Sequence, residues 1–169
     1  MSFASTLLSA LIFGLFGYLA GSLPFAIWIT HLAKGVDVRL AGSGHATTTN
    51  TIRQAGFGPG VVVFILDLTK GFLPTWIAMH FSQPVWIIAL TSAMAVAGHC
   101  WPLFSGFRGG MGLATTGGGL LAVKPIGFVI GLGILIFLTL VIHHSARAAV
   151  FTGILMAPVM WVLGLHDLV

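Results

Sequence analysis

Apolar runs alternate along this chain with polar intervals, and that alternation divides it into segments before any single residue is weighed. Residues 3–30 form the first run, long enough to cross a bilayer with some tilt, with Pro24 placed to bend it and Gly21-Ser22 to loosen it. Further runs cover residues 58–79, 85–97, 125–142 and 150–165. Residues 112–123 begin among glycines and are too few for a regular isolated crossing, so they read as a tilted span extended through Phe107 or as a re-entrant element. The pattern predicts an all-α membrane protein, a compact bundle of about six transmembrane helices, one of them short or re-entrant, with three polar loops. Gly17 with Gly21, and Gly127 with Gly131, have the small-xxx-small spacing that lets neighbouring helices approach closely. Asp67 and Lys70 share a helix face inside the second run, and pairing with each other is the expected way to lower their cost there.

Composition sharpens this picture. With 57% hydrophobic and 6% charged residues the chain cannot be an ordinary soluble globule, and the polar intervals are too short for a separate soluble domain, so residues 1–169 are expected to form a single domain. The net charge of +4 is too small and too scattered for a nucleic-acid binder. It reports orientation instead. Lys34, Arg39, Arg53, Arg108 and Arg147 fall in intervals on one side, and Lys124 sits in a connector on the other. The positive-inside rule then makes the three polar loops cytoplasmic and leaves the N-terminus outside. The first run lacks a basic leader and continues beyond a signal-peptide core, so it reads as a retained span. Cys100 is the single cysteine, which excludes an intramolecular disulfide.

Candidate chemistry gathers in two intervals. Residues 31–57, HLAKGVDVRLAGSGHATTTNTIRQAGF, are more than a connector needs. Residues 98–119, GHCWPLFSGFRGGMGLATTGGG, hold eight glycines with His99, Arg108, Thr115 and Thr116. A site for a phosphate ester needs fixed cations, backbone N–H groups that glycines leave approachable, and hydroxyl or amide donors. Ser43 between Gly42 and Gly44, Thr49-Asn50 with Arg53 beyond them, and Arg108 before Gly109-Gly110 supply those types. His31, His80, His143 and His144 lie at the ends of runs, where imidazoles need no special role, which leaves His45, His99 and His166 for chemistry.

In order and spacing, these motifs resemble one family. Gly35-x-Asp37-x-Arg39-x-x-Gly42-Ser43-Gly44, Thr49-Asn50-x-x-Arg53, Asp67-x-x-Lys70-Gly71, Gly98-His99-x-x-Pro102 and Phe107-Arg108-Gly109-Gly110-x-Gly112-x-Ala114-Thr115 are similar to those of the bacterial acyl-phosphate:glycerol-3-phosphate acyltransferases, the PlsY enzymes. The resemblance implies an inner-membrane enzyme that moves a fatty acyl group from acyl phosphate to the sn-1 hydroxyl of glycerol 3-phosphate, giving lysophosphatidic acid for phospholipid synthesis with no metal or other cofactor. Membrane lipids are its remaining partners. It also implies that Ser43, His99 and Arg108 serve catalysis, while Arg53, Asn50, Thr49, Gly109, Gly110, Gly112 and Thr115 bind phosphate. In that reading Arg108 grips phosphate, and His99 orients substrate or shuttles a proton.

Several positions depart from the family pattern. His45-Ala46-Thr47 stands where the family has Asn and then a glycine two residues on, and Met111 occupies a lysine position, removing a cation. Ala146 and Ala149 fall where serines are expected, with Ser145 out of register. A seventh span and a basic tail are expected beyond the point where this sequence stops. Two other classes of function therefore stand beside an altered acyltransferase. One is a catalytically inactive relative packed as an accessory subunit into a larger membrane complex, since the substitutions strike the polar cradle and spare the packing glycines. The other is a pigment- or cofactor-binding subunit, suggested by the seven histidines.

Overall fold

Proline and glycine cut the first apolar run into two helices. Ser2 caps α1 (Phe3–Gly21), its hydroxyl accepting from the Ser5 amide at 3.2 Å. Pro24 has no N–H to donate, and the chain turns there before α2 (Phe25–Lys34), which Gly35 closes in the left-handed conformation at φ 71°. The computed structural model describes residues 2–164, apart from the side chains of Ser145 and Ala146. After α2 come a 3-10 turn (Val38–Leu40), α3 (Thr48–Ala55), α4 (Phe57–His80), α5 (Val85–Cys100), a second 3-10 turn (Leu103–Ser105), α6 (Leu113–Val123), α7 (Pro125–Ile142) and α8 (Ser145–Val162). No strand occurs among the described residues, so the all-α expectation holds.

Among the described residues, four segments are long and apolar enough to cross a membrane: α1 with α2, α4, α5 continued to Ser105, and α7. Helix α6 and residues Arg147–Val162 are shorter apolar helices and complete the six segments of the sequence pattern. With 11 residues, α6 extends only about 16 Å, roughly half a bilayer core. It does not run back through Phe107, because Gly112 at φ 76° starts it and the residues before are irregular. Most of the third polar interval is helix as well: α8 begins at Ser145, and His144 Nδ1 accepts from the Arg147 amide. His166 lies outside the described residues, as do the side chains at 145 and 146.

Backbone packs on backbone in two helix pairs, α1 with α5 and α4 with α6. A methyl group at Gly17 or Gly21 would overlap the carbonyls of Thr91 or Ala95, and one at Gly98 would overlap Tyr18 O. Gly118 sits as tightly against Leu68 O, and Gly71 against Thr115 O. Lipid tails are as apolar as the helices, so close van der Waals contact of this kind takes the place of hydrophobic burial as the association force. Gly127 and Gly131 receive Met160 and Met156 from α8, which makes both small-residue pairs packing devices, as their spacing predicts.

Helix α4 is central, touching α1, α2, α3, α5 and α6. The first two polar intervals meet at one end of the bundle. There Ala46 N donates to Gly109 O at 3.2 Å, and the Arg39 guanidinium donates to Ser105 O at 2.8 Å.

The close approach gives a direct test. Gly118→Val is expected to lower the melting temperature in detergent by roughly 3–10 °C, because overpacking costs about 1–3 kcal/mol. Gly133→Val, where nothing lies within 4 Å, should leave it nearly unchanged. Equal shifts for the two variants would refute the packing assignment.

Candidate functional site

The first loop is tied together by one buried amide. Asn50, fully buried on α3, donates from Nδ2 to the carbonyls of Val38, Ala41 and His45 at 2.8, 3.1 and 3.1 Å, and its Oδ1 accepts from the Ser43 amide at 3.3 Å. Gln54 adds bonds to Val38 O and Ala41 O at 2.7 and 3.1 Å. Gly42 turns at φ 65° directly against Asn50 Oδ1, a position that only glycine can fill without strain or overlap. Asp37 caps the 3-10 turn by accepting from the Arg39 amide, and its carboxylate binds the same guanidinium at 2.7–3.1 Å. That side-chain hydrogen bond holds the Asp37 carboxyl below the usual carboxylate range.

The second loop is braced from beneath. Gly110 N donates to His99 O at 3.2 Å, while Phe107 N donates to Pro102 O at 2.9 Å. Phe107 has φ 59°, a left-handed conformation unusual for a bulky side chain, and it stands immediately before Arg108. A methyl group at Gly110 would overlap His99 Nε2 and Ala46 O, and one at Gly109 would overlap His99 O. These glycines therefore let the two loops and the end of α5 close on one another.

Beneath this lid lies a charged cluster. Lys70 Nζ is 2.9 Å from Asp67 Oδ1 and donates to Leu23 O at 2.9 Å. His99 Nδ1 approaches the same carboxylate oxygen at 3.6 Å from the other side. The Lys70 contact is not aligned as a directed hydrogen bond and the His99 contact is too long for one, so ion pairing joins Lys70 to Asp67 while packing holds His99 beside them. Asp67, Lys70, His99, Ser105, Gly109 and Gly110 help to line a small, partly open pocket of about 10 Å³, room for about one water molecule.

An open cleft lies on the other face of the same glycines. Its volume is about 490 Å³, and it is lined by Gly44, His45, Cys100, Trp101, Phe107, Arg108, Gly109 and Gly110. The lining is divided. Trp101 and Phe107 are large, exposed and apolar, while Arg108 and His45 are exposed and polar. His45 Nδ1 lies 2.8 Å from Ser43 O, and because a carbonyl can only accept, Nδ1 carries a proton.

The structure thus gathers only some of the residues singled out from the sequence. Arg108, Gly109 and Gly110 line the cleft, and His99 stands directly behind them. Ser43 is exposed one residue outside the lining, and it touches the cleft through the carbonyl that holds His45. Thr49 and Arg53 are exposed on α3 and do not line the cleft. Asn50 spends its amide on the loop. Gly112 and Thr115 are buried at the start of α6, where Thr115 meets Gly71. The pairing of Asp67 with Lys70 was legible from their spacing, but its convergence with His99 from another helix was not. Among the described residues, no group of three or more His, Cys, Asp or Glu could hold a metal ion.

Comparison with known proteins shows the family and the fold. The family model described as glycerol-3-phosphate acyltransferase matches residues 11–169. A glycerol-3-phosphate acyltransferase of Aquifex aeolicus (strain VF5) is 40% identical over 148 residues, covering 85% of this chain and 77% of that protein. A glycerol-3-phosphate acyltransferase 2 of Thermotoga maritima is 39% identical over 140 residues, covering 82% and 71%. The crystal structure of PlsY (YgiH), an integral membrane glycerol 3-phosphate acyltransferase in its glycerol 3-phosphate form, superposes with a TM-score of 0.85 at 37% identity, over 92% of this chain and 78% of that one. Its lysophosphatidic acid form gives a TM-score of 0.84 at 36% identity, over the same 92% and 78%.

The buried amide is testable. Asn50→Ala strips the Ser43 amide and the His45 carbonyl of their partner and should cost about 1–3 kcal/mol. Hydrogen exchange read by mass spectrometry should quicken in residues 38–47 while α7 keeps its protection. Unchanged exchange in that segment would show that Asn50 does not lock the loop.

Proposed function

Because the chain belongs to the glycerol-3-phosphate acyltransferase family, we propose that it transfers a fatty acyl group from an acyl phosphate to the sn-1 hydroxyl of glycerol 3-phosphate, forming lysophosphatidic acid and releasing phosphate. The observation that carries this reading is the mixed lining of the cleft, in which Arg108 and two glycines stand together with the aromatic rings of Trp101 and Phe107. That lining suits a molecule that is phosphate at one end and hydrocarbon at the other. An acyl phosphate is an activated anhydride, so the protein must chiefly hold two phosphate-bearing partners in register and allow one proton to leave.

Arg108 is exposed and forked, which fits it to take two phosphate oxygens at once. His99 is buried, with Nε2 facing Gly110 and Nδ1 facing Asp67, so we assign it to holding the second loop in shape. Ser43 serves through its carbonyl contact with His45. Thr49 and Arg53 form an outer polar surface on α3, and we assign them to the approach of the second phosphate. Met111 is exposed and uncharged beside the cradle, in keeping with a phosphate site altered from the family pattern. The relatives carry acyltransferase names, and no observation among the described residues favours an accessory subunit or a pigment carrier.

Purified protein in detergent or vesicles should release phosphate from palmitoyl phosphate only when glycerol 3-phosphate is present. Arg108→Ala is expected to lower kcat/KM by about ten- to a hundredfold, the worth of a charge-assisted contact. Turnover no higher than that of the variant would rule the reading out.

The excess of Lys and Arg at the loop end supports a cytoplasmic position for that end and an N-terminus outside a bacterial cell membrane. Ser43→Cys in a Cys100→Ser background should react with a membrane-impermeant maleimide in inverted vesicles and stay unlabelled in intact cells. Labelling from outside would reverse the orientation.

A further inference from the structure

The cleft has only a few free backbone donors, the amides of His45, Arg108 and Gly109, which have no hydrogen-bond partner among the described residues. Gly44 N donates to Ala41 O at 3.3 Å, Gly110 N to His99 O at 3.2 Å and Phe107 N to Pro102 O at 2.9 Å, so three amides beside the cleft already have partners. A phosphate monoester presents three terminal oxygens and close to two charges, more than one guanidinium fork can satisfy. Among the described residues lining the cleft, Arg108 is the permanent cation, and His45 is the other side chain able to carry positive charge.

We propose that His45 is the second phosphate ligand of this site, binding as an imidazolium opposite Arg108, so that glycerol 3-phosphate binding takes up a proton. The proposal rests on the acyltransferase reading for its ligand but concerns binding alone. The geometry sets the logic. Ser43 O holds the proton on Nδ1, which leaves Nε2 of the neutral ring with a lone pair, on a side chain that lines the cleft. A lone pair repels phosphate oxygens, whereas an Nε2–H donates to them. Phosphate therefore favours the doubly protonated ring, in which Nδ1–H keeps its bond to Ser43 O and Nε2–H takes the ligand. No covalent step is involved: one proton moves from solvent to Nε2 as the anion enters.

Other charged groups surround the cleft without replacing this role. Arg108 and the Cys100 thiol share its lining. Asp67, Lys70 and His99 lie behind Gly109-Gly110 along the small pocket, and Asp37 is paired with Arg39 in the first loop. Each of them remains in a His45 variant.

The test is calorimetric titration of the full chain in detergent with glycerol 3-phosphate, in buffers of differing ionisation enthalpy from mildly acid to mildly alkaline pH. The native protein should take up protons on binding and bind more tightly toward acid. His45→Ala should weaken binding about tenfold and lose most of the uptake. His45→Lys, which carries its charge throughout, should restore affinity without the uptake. The free ligand's own phosphate ionisation is common to all three proteins, so differences among them report the side chain at position 45 together with its effect on the bound phosphate.

Equal affinity and proton uptake in native protein and His45→Ala would overturn the proposal while leaving the acyltransferase reading intact if turnover persists. Proton-linked binding by a protein that never transfers an acyl group would uphold the proposal and sink that reading. No binding of glycerol 3-phosphate at any pH would overturn the proposal. His45 is exposed, so a folded variant is expected, and an unchanged melting temperature confirms it.

Discussion

Backbone contact at Gly17, Gly21 and Gly98 sets the height of α5 against α1, and the end of α5 carries His99, Cys100 and the start of the second loop. A side chain at any of the three would push the helices apart. His99 O could then no longer receive Gly110 N, and Tyr18 could no longer donate from its hydroxyl to Trp101 O at 2.9 Å. The α4–α6 contact at Gly71 and Gly118 does the same for the other end of that loop, because α6 begins where the loop stops. A loop clamped at both ends by helix packing is held in one shape without being built from regular structure.

The buried pair Asp67–Lys70 links that frame to the kink in the first span. Ion pairs inside a low-dielectric bundle are weak evidence for stability, since desolvation offsets much of their attraction. Here the pair has a positional role. Lys70 also donates to Leu23 O, just before Pro24, and its ammonium lies 5.6 Å over the Phe25 ring. One lysine thereby occupies a carbonyl in the break between α1 and α2, and Asp67 offers its charge to His99. The cluster ties α2, α4 and α5 together directly under the glycine lid.

The site above the lid follows from how the two loops share their donors. Asn50 and Arg39 consume their polarity on the chain itself, the one stitching the first loop and the other joining it to Ser105 O. What remains outward is Arg108, His45 and the apolar rings of Trp101 and Phe107. A loop that meets most of its own hydrogen-bonding demand has few groups left for a ligand. Those few decide what it binds.

Periodicity and composition were enough to determine the membrane bundle, the number of apolar segments and the glycine pairs, because lipid imposes length, apolarity and small contact residues on the chain locally. The family was legible as well, since its motifs keep their order and spacing. The break at Pro24 was readable as a bend, and the Asp67–Lys70 pair as a helix face. Which polar residues face a ligand was another matter. Asn50 and Arg108 look alike in a sequence, as polar residues among glycines, yet one is buried against four backbone groups and the other stands open on the cleft. His99 and His45 divide in the same way. Hydrogen bonds between segments far apart in the chain decide such assignments, and local pattern carries no record of them, so only the tertiary structure could show which side chains were already taken.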